Sequence, residues 1–170
     1  MEVHFLYDYR KATITDLKYL WDQNIAQNPE DARWPVWKQE YIAYNQEGKG
    51  ATFVVLCDGE PVGEGTLLFS PQCGAIGGRT VLADNQTIAN INALRICKEH
   101  EGQGHISTLV RMMECYAASR GYTHLSIGVE ARETRNHAIY QHWGYNQLVL
   151  TEIEEGEQVL YYGKVLALGD

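Results

Sequence analysis

The chain passes from a strand through a glycine-rich turn into a helix within INALRICKEHEGQGHIS, residues 91–107. Thr87 to Ile96 has strand character, and the clearest amphipathic helix of the chain follows the turn. The first amides of a helix lack intrahelical partners and lie at the positive end of the helix dipole, so an anion can bind there. Gly102 and Gly104 allow the backbone to approach a ligand, although turns also use glycine for steric reasons alone. A phosphate-binding turn is one interpretation of the segment, but a lone GxG before a helix more often has a purely steric role. Neither a Walker motif nor a GxGxxG fingerprint accompanies it.

Strands and helices alternate along the rest of the chain. The predicted strands are Val3–Tyr9, Ala51–Cys57, Val62–Phe69, Thr87–Ile96, Tyr122–Val129, Leu148–Ile153 and Val159–Val165. Four helices are predicted. The first is opened by a Thr13/Asp16 capping box, the second is shorter and follows Pro35, and the fourth is Thr134–Trp143. The third carries the apolar stripe Ile106, Leu109, Val110, Met113 and Ala117. A turn at Asp58-Gly59 and a long loop from Ser70 to Asn85 complete the pattern. This order predicts a mixed α/β sheet with helices on its faces.

Composition limits the function classes. The 170 residues suit a single domain, residues 1–170, and the net charge of −8 argues against nucleic acid and against an anionic membrane surface. The start of the chain lacks a signal sequence and no apolar stretch is long enough to span a bilayer, so we expect a soluble, cytoplasmic protein. The four cysteines and six histidines show no ligand spacing, so we expect free buried thiols and no metal.

The segment Ile91 to Tyr145 resembles the consecutive motifs of the GNAT superfamily of acetyl-CoA-dependent N-acetyltransferases. The residues that carry the resemblance are Leu94-Arg95-Ile96, Glu101-Gly102-Gln103-Gly104-His105-Ile106-Ser107, Asn136, Ala138, Tyr140, Gly144 and Tyr145. The resemblance implies a mostly antiparallel sheet with one parallel strand pair splayed around the cofactor. It also implies that the backbone of Leu94, Arg95 and Ile96 bonds the pantetheine arm of acetyl-CoA. The amides of Gly102, Gln103, Gly104, His105, Ile106 and Ser107 would then bind its pyrophosphate.

Asn136 and Tyr140 lie four residues apart and so share one face of a helix. The resemblance implies that Asn136 bonds the cofactor arm and that Tyr140 protonates the departing thiolate, while a packing role for Tyr140 stays open. The strand entering the turn carries no acid, so the candidate general bases are Glu64 and Glu130, each of which could instead be a solvated strand-end acid.

The acceptor is expected to be a small, cationic primary amine. Two features could attract it: the aromatic side chains Trp34, Trp37, Tyr41 and Tyr44, which could equally be core, and the acidic cluster Glu152, Glu154, Glu155 and Glu157. Glu101 stands at a basic position of the family pattern and Ile106 at a small one. Together with the missing strand carboxylate, these departures keep a catalytically silent acyl-CoA sensor as an alternative. A protein or peptide N-acetyltransferase is a further alternative. The terminal hairpin could also pair with a second subunit as a homodimer.

Overall fold

The computed structural model describes residues 4–167, which form seven strands and four helices. In chain order they are β1 Tyr7–Lys11, α1 Ile14–Gln27, α2 Arg33–Glu47, β2 Gly50–Cys57, β3 Glu60–Leu68, β4 Ile88–Ile96, α3 His105–Ser119, β5 His124–Glu130, α4 Thr134–His142, β6 Gln147–Glu154 and β7 Glu157–Val165. The strands form one sheet in the order β1-β2-β3-β4-β5-β7-β6. The predicted mixed α/β fold and its element order are confirmed.

The contacts of the chain cluster in two compact units. The first unit comprises the residues up to Thr66 together with Ala93–Met113, and the second comprises Leu67–Asn92 together with the residues from Glu114 onward. In the first unit, β1 pairs antiparallel with β2 from Tyr7↔Cys57 to Lys11↔Phe53. Leu20 of α1 packs against Val54 and Leu56 of β2, so the apolar face of α1 covers this part of the sheet.

The first helix begins where its sequence signal predicts. Thr13 Oγ1 accepts from the amide of Asp16, and the Asp16 carboxylate accepts from the amide of Thr13, which completes the capping box. Leu17, Leu20 and Trp21 are buried on one face. The start and the buried face of α1 could be predicted from local spacing, because a capping box and a helical stripe involve only neighbouring residues.

In the second unit, the parallel pair is formed by β4 and β5, in register from Ile88↔His124 to Ile91↔Ile127. β7 pairs antiparallel with β5 and with β6, and β6 and β7 form a hairpin that turns at Glu155-Gly156. The predicted parallel pair and terminal hairpin are therefore confirmed. The long loop predicted from Ser70 to Asn85 contains turns but no strand or helix.

Two predicted boundaries are wrong. The first strand was predicted from Val3 to Tyr9; Val3 lies outside the described residues, and the strand runs from Tyr7 to Lys11. The second helix was expected to start after Pro35 and to be the shorter one, but α2 has 15 residues against 14 in α1. Its first residue is Arg33, because proline fits the first turn of a helix, where its missing N–H has no intrahelical acceptor.

Candidate active site

The turn before α3 has the backbone geometry of an anion site. Gly102 and Gly104 adopt φ angles of 74° and 84°, which favour glycine. The amide of Thr108 donates to the carbonyl of Gly104 at 3.0 Å, so the helical bonds begin there. The amides that precede Thr108 in the first turn consequently lack intrahelical acceptors. A Cβ built on either glycine would meet no atom within 4 Å, so the space beside the turn is open.

The side chain of His105, the first residue of α3, packs against β1. Its Nδ1 lies 2.6 Å from the Tyr9 hydroxyl, and its ring centroid lies 4.2 Å from that of Tyr7. Burial lowers the pKa of His105, and the neighbouring His100 lowers it further, so the ring is neutral at neutral pH. Only Nδ1 of the ring is bonded in this way, because Nε2 is buried without a hydrogen-bond partner. The backbone amide of His105 faces the turn as part of the first turn of α3.

Arg111, one turn further along α3, adds a permanent positive charge beside the first turn. Its Nη1 donates to Ser107 Oγ at 2.9 Å, and its Nη2 donates to Thr108 Oγ1 at 3.3 Å. Both bonds are exposed to solvent. Glu101, the acidic residue of the turn, is also exposed and therefore solvated. Arg111 was not predicted from the sequence, although its spacing of four residues from Ser107 on a helix was a usable signal.

The end of β4 is irregular and its apolar side chains are committed to packing. Ala93 has a φ of 54°, unusual for a residue other than glycine, so the strand departs from regular geometry just before Leu94. A Cβ on Gly65 would lie 2.7 Å from Leu94 Cδ2, and one on Gly63 would lie 2.6 Å from Ile96 Cδ1. Leu94 and Ile96 thus fill the space above two glycines of β3, which leaves their backbone groups as the part able to meet a ligand.

Between Leu94 and Ile96, Arg95 forms a partly buried ion pair with Glu64. Arg95 Nη2 donates to Glu64 Oε1 at 3.0 Å, and the exposed fractions of the two side chains are 28% and 1%. Burial raises the pKa of Glu64, although the guanidinium of Arg95 acts in the opposite direction. The guanidinium carbon also lies 4.5 Å from the ring centroid of Trp21 and 5.4 Å from that of Trp34. Two atoms of the pair, Glu64 Oε2 and Arg95 Nε, are buried without a hydrogen-bond partner.

The pair lines a pocket of about 380 Å³ in the first unit. One side of the pocket is the polar C-terminal half of α1, with Gln23, Asn24 and Gln27, and another is the segment Val62–Glu64 of β3. The end of β4 and the short 3-10 turn that follows it contribute the remaining wall, including Lys98, Glu99 and Glu101. A carboxylate with raised pKa, a fixed guanidinium and a polar rim thus converge on one concave site.

α4 in the second unit carries the two residues of the second motif. Asn136 Nδ2 donates to Glu133 Oε2 at 3.3 Å. The ring of Tyr140 packs on that of Trp143 with centroids 5.7 Å apart, and its hydroxyl has no hydrogen-bond partner among residues 4–167. Burial raises the pKa of Tyr140, and the charge of Glu133 raises it further, so the phenol remains protonated at neutral pH.

The other candidate base, Glu130, is already paired. Arg132 Nε donates to Glu130 Oε2 at 2.7 Å, and 33% of the glutamate side chain is exposed. Glu130 is therefore a partly solvated carboxylate with its own cation, which agrees with the strand-end alternative. Glu64, in contrast, is buried and keeps one oxygen without a partner.

The acidic cluster of the terminal hairpin is partly neutralised within the chain. Arg79, from the long loop, donates through Nη1 to Glu152 Oε2 at 3.0 Å and to Glu154 Oε1 at 3.1 Å. Tyr161 also donates to Glu154. Glu152 and Glu154 are thus less available to attract a cationic acceptor than the sequence suggested. Trp34 and Trp37 likewise already face the guanidinium groups of Arg95 and Arg33.

All four cysteines are free thiols, as expected, but only Cys57 and Cys73 are buried, while Cys97 is half-buried and Cys115 is exposed. Among residues 4–167, no three of the His, Cys, Asp and Glu side chains lie close enough together to hold a metal ion. Over the same described range, no helix is both long and apolar enough to span a membrane.

A family profile described as the Acetyltransferase (GNAT) family matches residues 17–145, which is more than half of the chain. No curated protein sequence matches this chain significantly.

Solved structures share the fold. A ribosomal-protein-alanine N-acetyltransferase from Brucella melitensis has a TM-score of 0.70 at 18% identity, with 94% of this chain and 99% of that chain covered. An acetyl transferase from Salmonella typhimurium that modifies the N-terminal serine of ribosomal protein L7/L12 has a TM-score of 0.68 at 15% identity, with 95% of each chain covered. A putative acetyltransferase from the same organism, solved with its cofactor acetyl-CoA, has a TM-score of 0.68 at 12% identity, with 95% of this chain and 94% of that chain covered. At these identities the likeness is one of fold.

Proposed function

The chain belongs to the acetyltransferase (GNAT) family, and we propose that it transfers the acetyl group of acetyl-CoA to a primary amine of a small, cationic acceptor. Membership of the family makes it an acyltransferase that uses acetyl-CoA. The transfer takes place directly, in a ternary complex. The observation that carries the proposal is the turn at Gly102 and Gly104, whose left-handed backbone opens α3 beside open space. Such a turn suits the pyrophosphate of coenzyme A.

The cofactor contacts are assigned mainly to backbone. Leu94, Arg95 and Ile96 would bond the pantetheine arm, and the amides from Gly102 to Ser107, including those of Gln103, Gly104, His105 and Ile106, would bind the pyrophosphate. This assignment is supported by the packing of Leu94 and Ile96, whose side chains lie against the glycines of β3. Because amide contacts do not depend on side-chain type, they tolerate Glu101 and Ile106. Arg111 supplies a cation beside the same turn, and Asn136 is assigned to the cofactor arm.

Glu64 is the better candidate for the general base. An amine is an ammonium ion at neutral pH and must lose a proton before it can attack the thioester. The raised pKa of Glu64 makes its carboxylate a stronger base than an ordinary glutamate, and its Oε2 accepts no hydrogen bond within the protein. Glu130 already accepts from Arg132, which leaves it a weaker candidate.

Tyr140 is assigned as the proton donor to the leaving thiolate. The amine nitrogen forms a bond to the acetyl carbon, the carbon–sulfur bond breaks, and the thiolate takes the phenolic proton. The second proton released by the nitrogen returns the phenol to its protonated form through solvent, so the step balances. The unpartnered hydroxyl and raised pKa of Tyr140 support this role, because such a phenol is protonated before each turnover.

The test is release of the coenzyme A thiol from acetyl-CoA in the presence of a panel of primary amines, with the acetylated product identified by mass spectrometry. Thiol release in proportion to an N-acetylated product is the expected result. Tight binding of acetyl-CoA without thiol release for any acceptor would instead favour a catalytically silent acyl-CoA sensor.

A further inference from the structure

The pocket lined by Glu64 and Arg95 contains two unpaired polar atoms of opposite kind. Glu64 Oε2 can accept a hydrogen bond and Arg95 Nε can donate one, and both are buried. Buried polar atoms in folded proteins almost always have a hydrogen-bond partner, and leaving them without one is costly. Both residues line the same pocket, and a bound group that reaches these two atoms with one donor and one acceptor would satisfy the pair.

The guanidinium of Arg95 is held in a fixed orientation. Its Nη2 is bonded to Glu64 Oε1 at 3.0 Å, and its plane is flanked by Trp21 and Trp34, with the guanidinium carbon 4.5 Å and 5.4 Å from their ring centroids. These rings therefore already face an internal cation, so an incoming ammonium must find its negative partner in Glu64 rather than in the aromatic faces. A planar, pre-oriented guanidinium is well suited to a carbonyl or carboxylate oxygen.

The charges around the pocket favour an occupant that combines an amine with an oxygen acceptor. Glu64 and Arg95 compensate each other, while the rim carries Lys98 against Glu99 and Glu101. The surroundings are thus slightly acidic, which suits an ammonium, and the guanidinium in the wall suits a polar oxygen close to it. A volume of about 380 Å³ is at the small end for ligand pockets and fits the head of a molecule the size of one amino acid.

We propose that this pocket binds the acceptor by an α-amino carbonyl group, with the amine at Glu64 Oε2 and the neighbouring carbonyl or carboxylate oxygen at Arg95. The inference rests on the proposed function, because it names the acceptor class of the same enzyme. Ile96 and Arg95 belong both to the pocket wall and to the strand segment assigned to the cofactor. An amine held there is therefore close to the strand segment proposed to bind the pantetheine arm. A free α-amino acid and the amino terminus of a peptide carry this same chemistry.

The first experiment compares matched acceptors at saturating acetyl-CoA. Alaninamide and isopropylamine share the branched carbon that carries the amine, but only alaninamide has the carbonyl. The carbonyl also makes alaninamide the less basic amine, so kcat/KM is expressed for the unprotonated form of each acceptor. On that basis we expect kcat/KM to be higher for alaninamide by about tenfold or more, as for the loss of a hydrogen bond to a charged group. Free alanine and an alanine-initiated dipeptide amide distinguish a free amino acid from the amino terminus of a peptide as the acceptor. The one used with the higher kcat/KM shows whether the pocket favours a carboxylate or a peptide carbonyl beside the amine.

The second experiment repeats the comparison with Glu64→Gln, Arg95→Gln and the double variant, with Glu60→Gln as the control. Glu60 is an exposed carboxylate at the start of the same strand. Arg95→Gln and the double variant should bring the preference for alaninamide over isopropylamine close to one, because Arg95 holds the carbonyl oxygen. Glu64→Gln should lower kcat/KM for both amines, because both carry the ammonium that Glu64 holds, while Glu60→Gln should keep both the activity and the preference. The double variant removes both charges together and so avoids an uncompensated buried charge. Thermal unfolding of each variant shows which of them are folded.

The outcomes separate this inference from the proposed function. Equal use of alaninamide and isopropylamine by the wild type, with vigorous thiol release, would overturn the inference and leave the acetyltransferase intact. If no amine supports thiol release but calorimetry shows that alaninamide binds in a Glu64-dependent way, the pocket assignment stands and the proposed function fails. Retention of the preference by a folded double variant would also overturn the inference.

Discussion

Replacing Gly104 by alanine should lower the stability of the fold only slightly but weaken the binding of coenzyme A strongly. Gly104 has a φ of 84°, and a Cβ there would meet nothing within 4 Å, so alanine introduces strain without a clash. The left-handed conformation costs an ordinary residue roughly 1–2 kcal/mol. The lower entropy of the unfolded chain offsets about 0.4–1 kcal/mol of this. The net loss of about 1 kcal/mol should lower Tm by roughly 2–4 °C for a chain of this length.

The same methyl group should weaken cofactor binding far more than it weakens the fold. It would project into the open space beside the amides of the turn, where the pyrophosphate is proposed to bind. Losing one charge-assisted hydrogen bond there costs roughly 1.5–3 kcal/mol. We therefore expect Kd for coenzyme A to rise by about tenfold to a hundredfold. Isothermal titration calorimetry gives Kd, and thermal unfolding in the same buffer gives the change in stability.

Gly121 provides a matched control. It follows the C-terminal end of α3, has a φ of 89°, and a Cβ there would also meet nothing within 4 Å. Gly121→Ala should lower Tm by an amount similar to Gly104→Ala and leave the affinity for coenzyme A unchanged. Equal coenzyme A affinity in wild type and Gly104→Ala would refute the placement of the pyrophosphate. An equal loss of coenzyme A affinity in the two variants would mean that the loss in Gly104→Ala comes from general destabilisation of the fold.

Three further perturbations probe separate residues. Tyr140→Phe removes the proposed proton donor, so kcat should fall by about a hundredfold while Kd for coenzyme A stays within about twofold; an unchanged kcat removes the assignment. Arg111→Gln should weaken coenzyme A binding most at low ionic strength, because exposed charges are screened by salt. Arg120→Gln, just beyond the other end of the helix, is the control and should bind coenzyme A as the wild type does. A loss of affinity in Arg111→Gln that does not depend on salt would contradict an electrostatic role. The raised pKa of Glu64 means that the folded chain keeps a proton that the unfolded chain releases near its ordinary pKa of about 4.3. The free energy of unfolding should therefore fall as pH rises from about 4.3 through the folded pKa of Glu64. Urea titrations at several pH values measure this dependence, which should be weaker in Glu64→Gln. The same pH dependence in wild type and variant would mean that the pKa of Glu64 is not raised by folding.

The features that could be predicted from the sequence depend on neighbouring residues. The capping box of α1 and the glycine turn before α3 are local signals, and both occur in the structure where they were predicted. The boundary errors in β1 and α2 arose because propensity does not fix the register of an edge strand or exclude proline from a first helical turn.

The contacts that could not be predicted join distant parts of the chain. Glu64 and Arg95 are 31 residues apart, and Arg79 lies 73 residues from Glu152. No local pattern encodes which side chains neighbouring strands or a long loop bring together. For this reason the acidic hairpin was interpreted as a free surface, and the role of Arg95 was limited to its backbone.

The most direct test of the central claim is a single assay that measures both products of the transfer. Acetyl-CoA and alaninamide are incubated with the protein, and the free thiol and N-acetylalaninamide are quantified together. An acetyltransferase with this acceptor pocket should form equal amounts of thiol and N-acetylated product, and should form them faster than with isopropylamine. Bound acetyl-CoA that yields neither thiol nor N-acetylated product, with alaninamide or with any other primary amine, would contradict it.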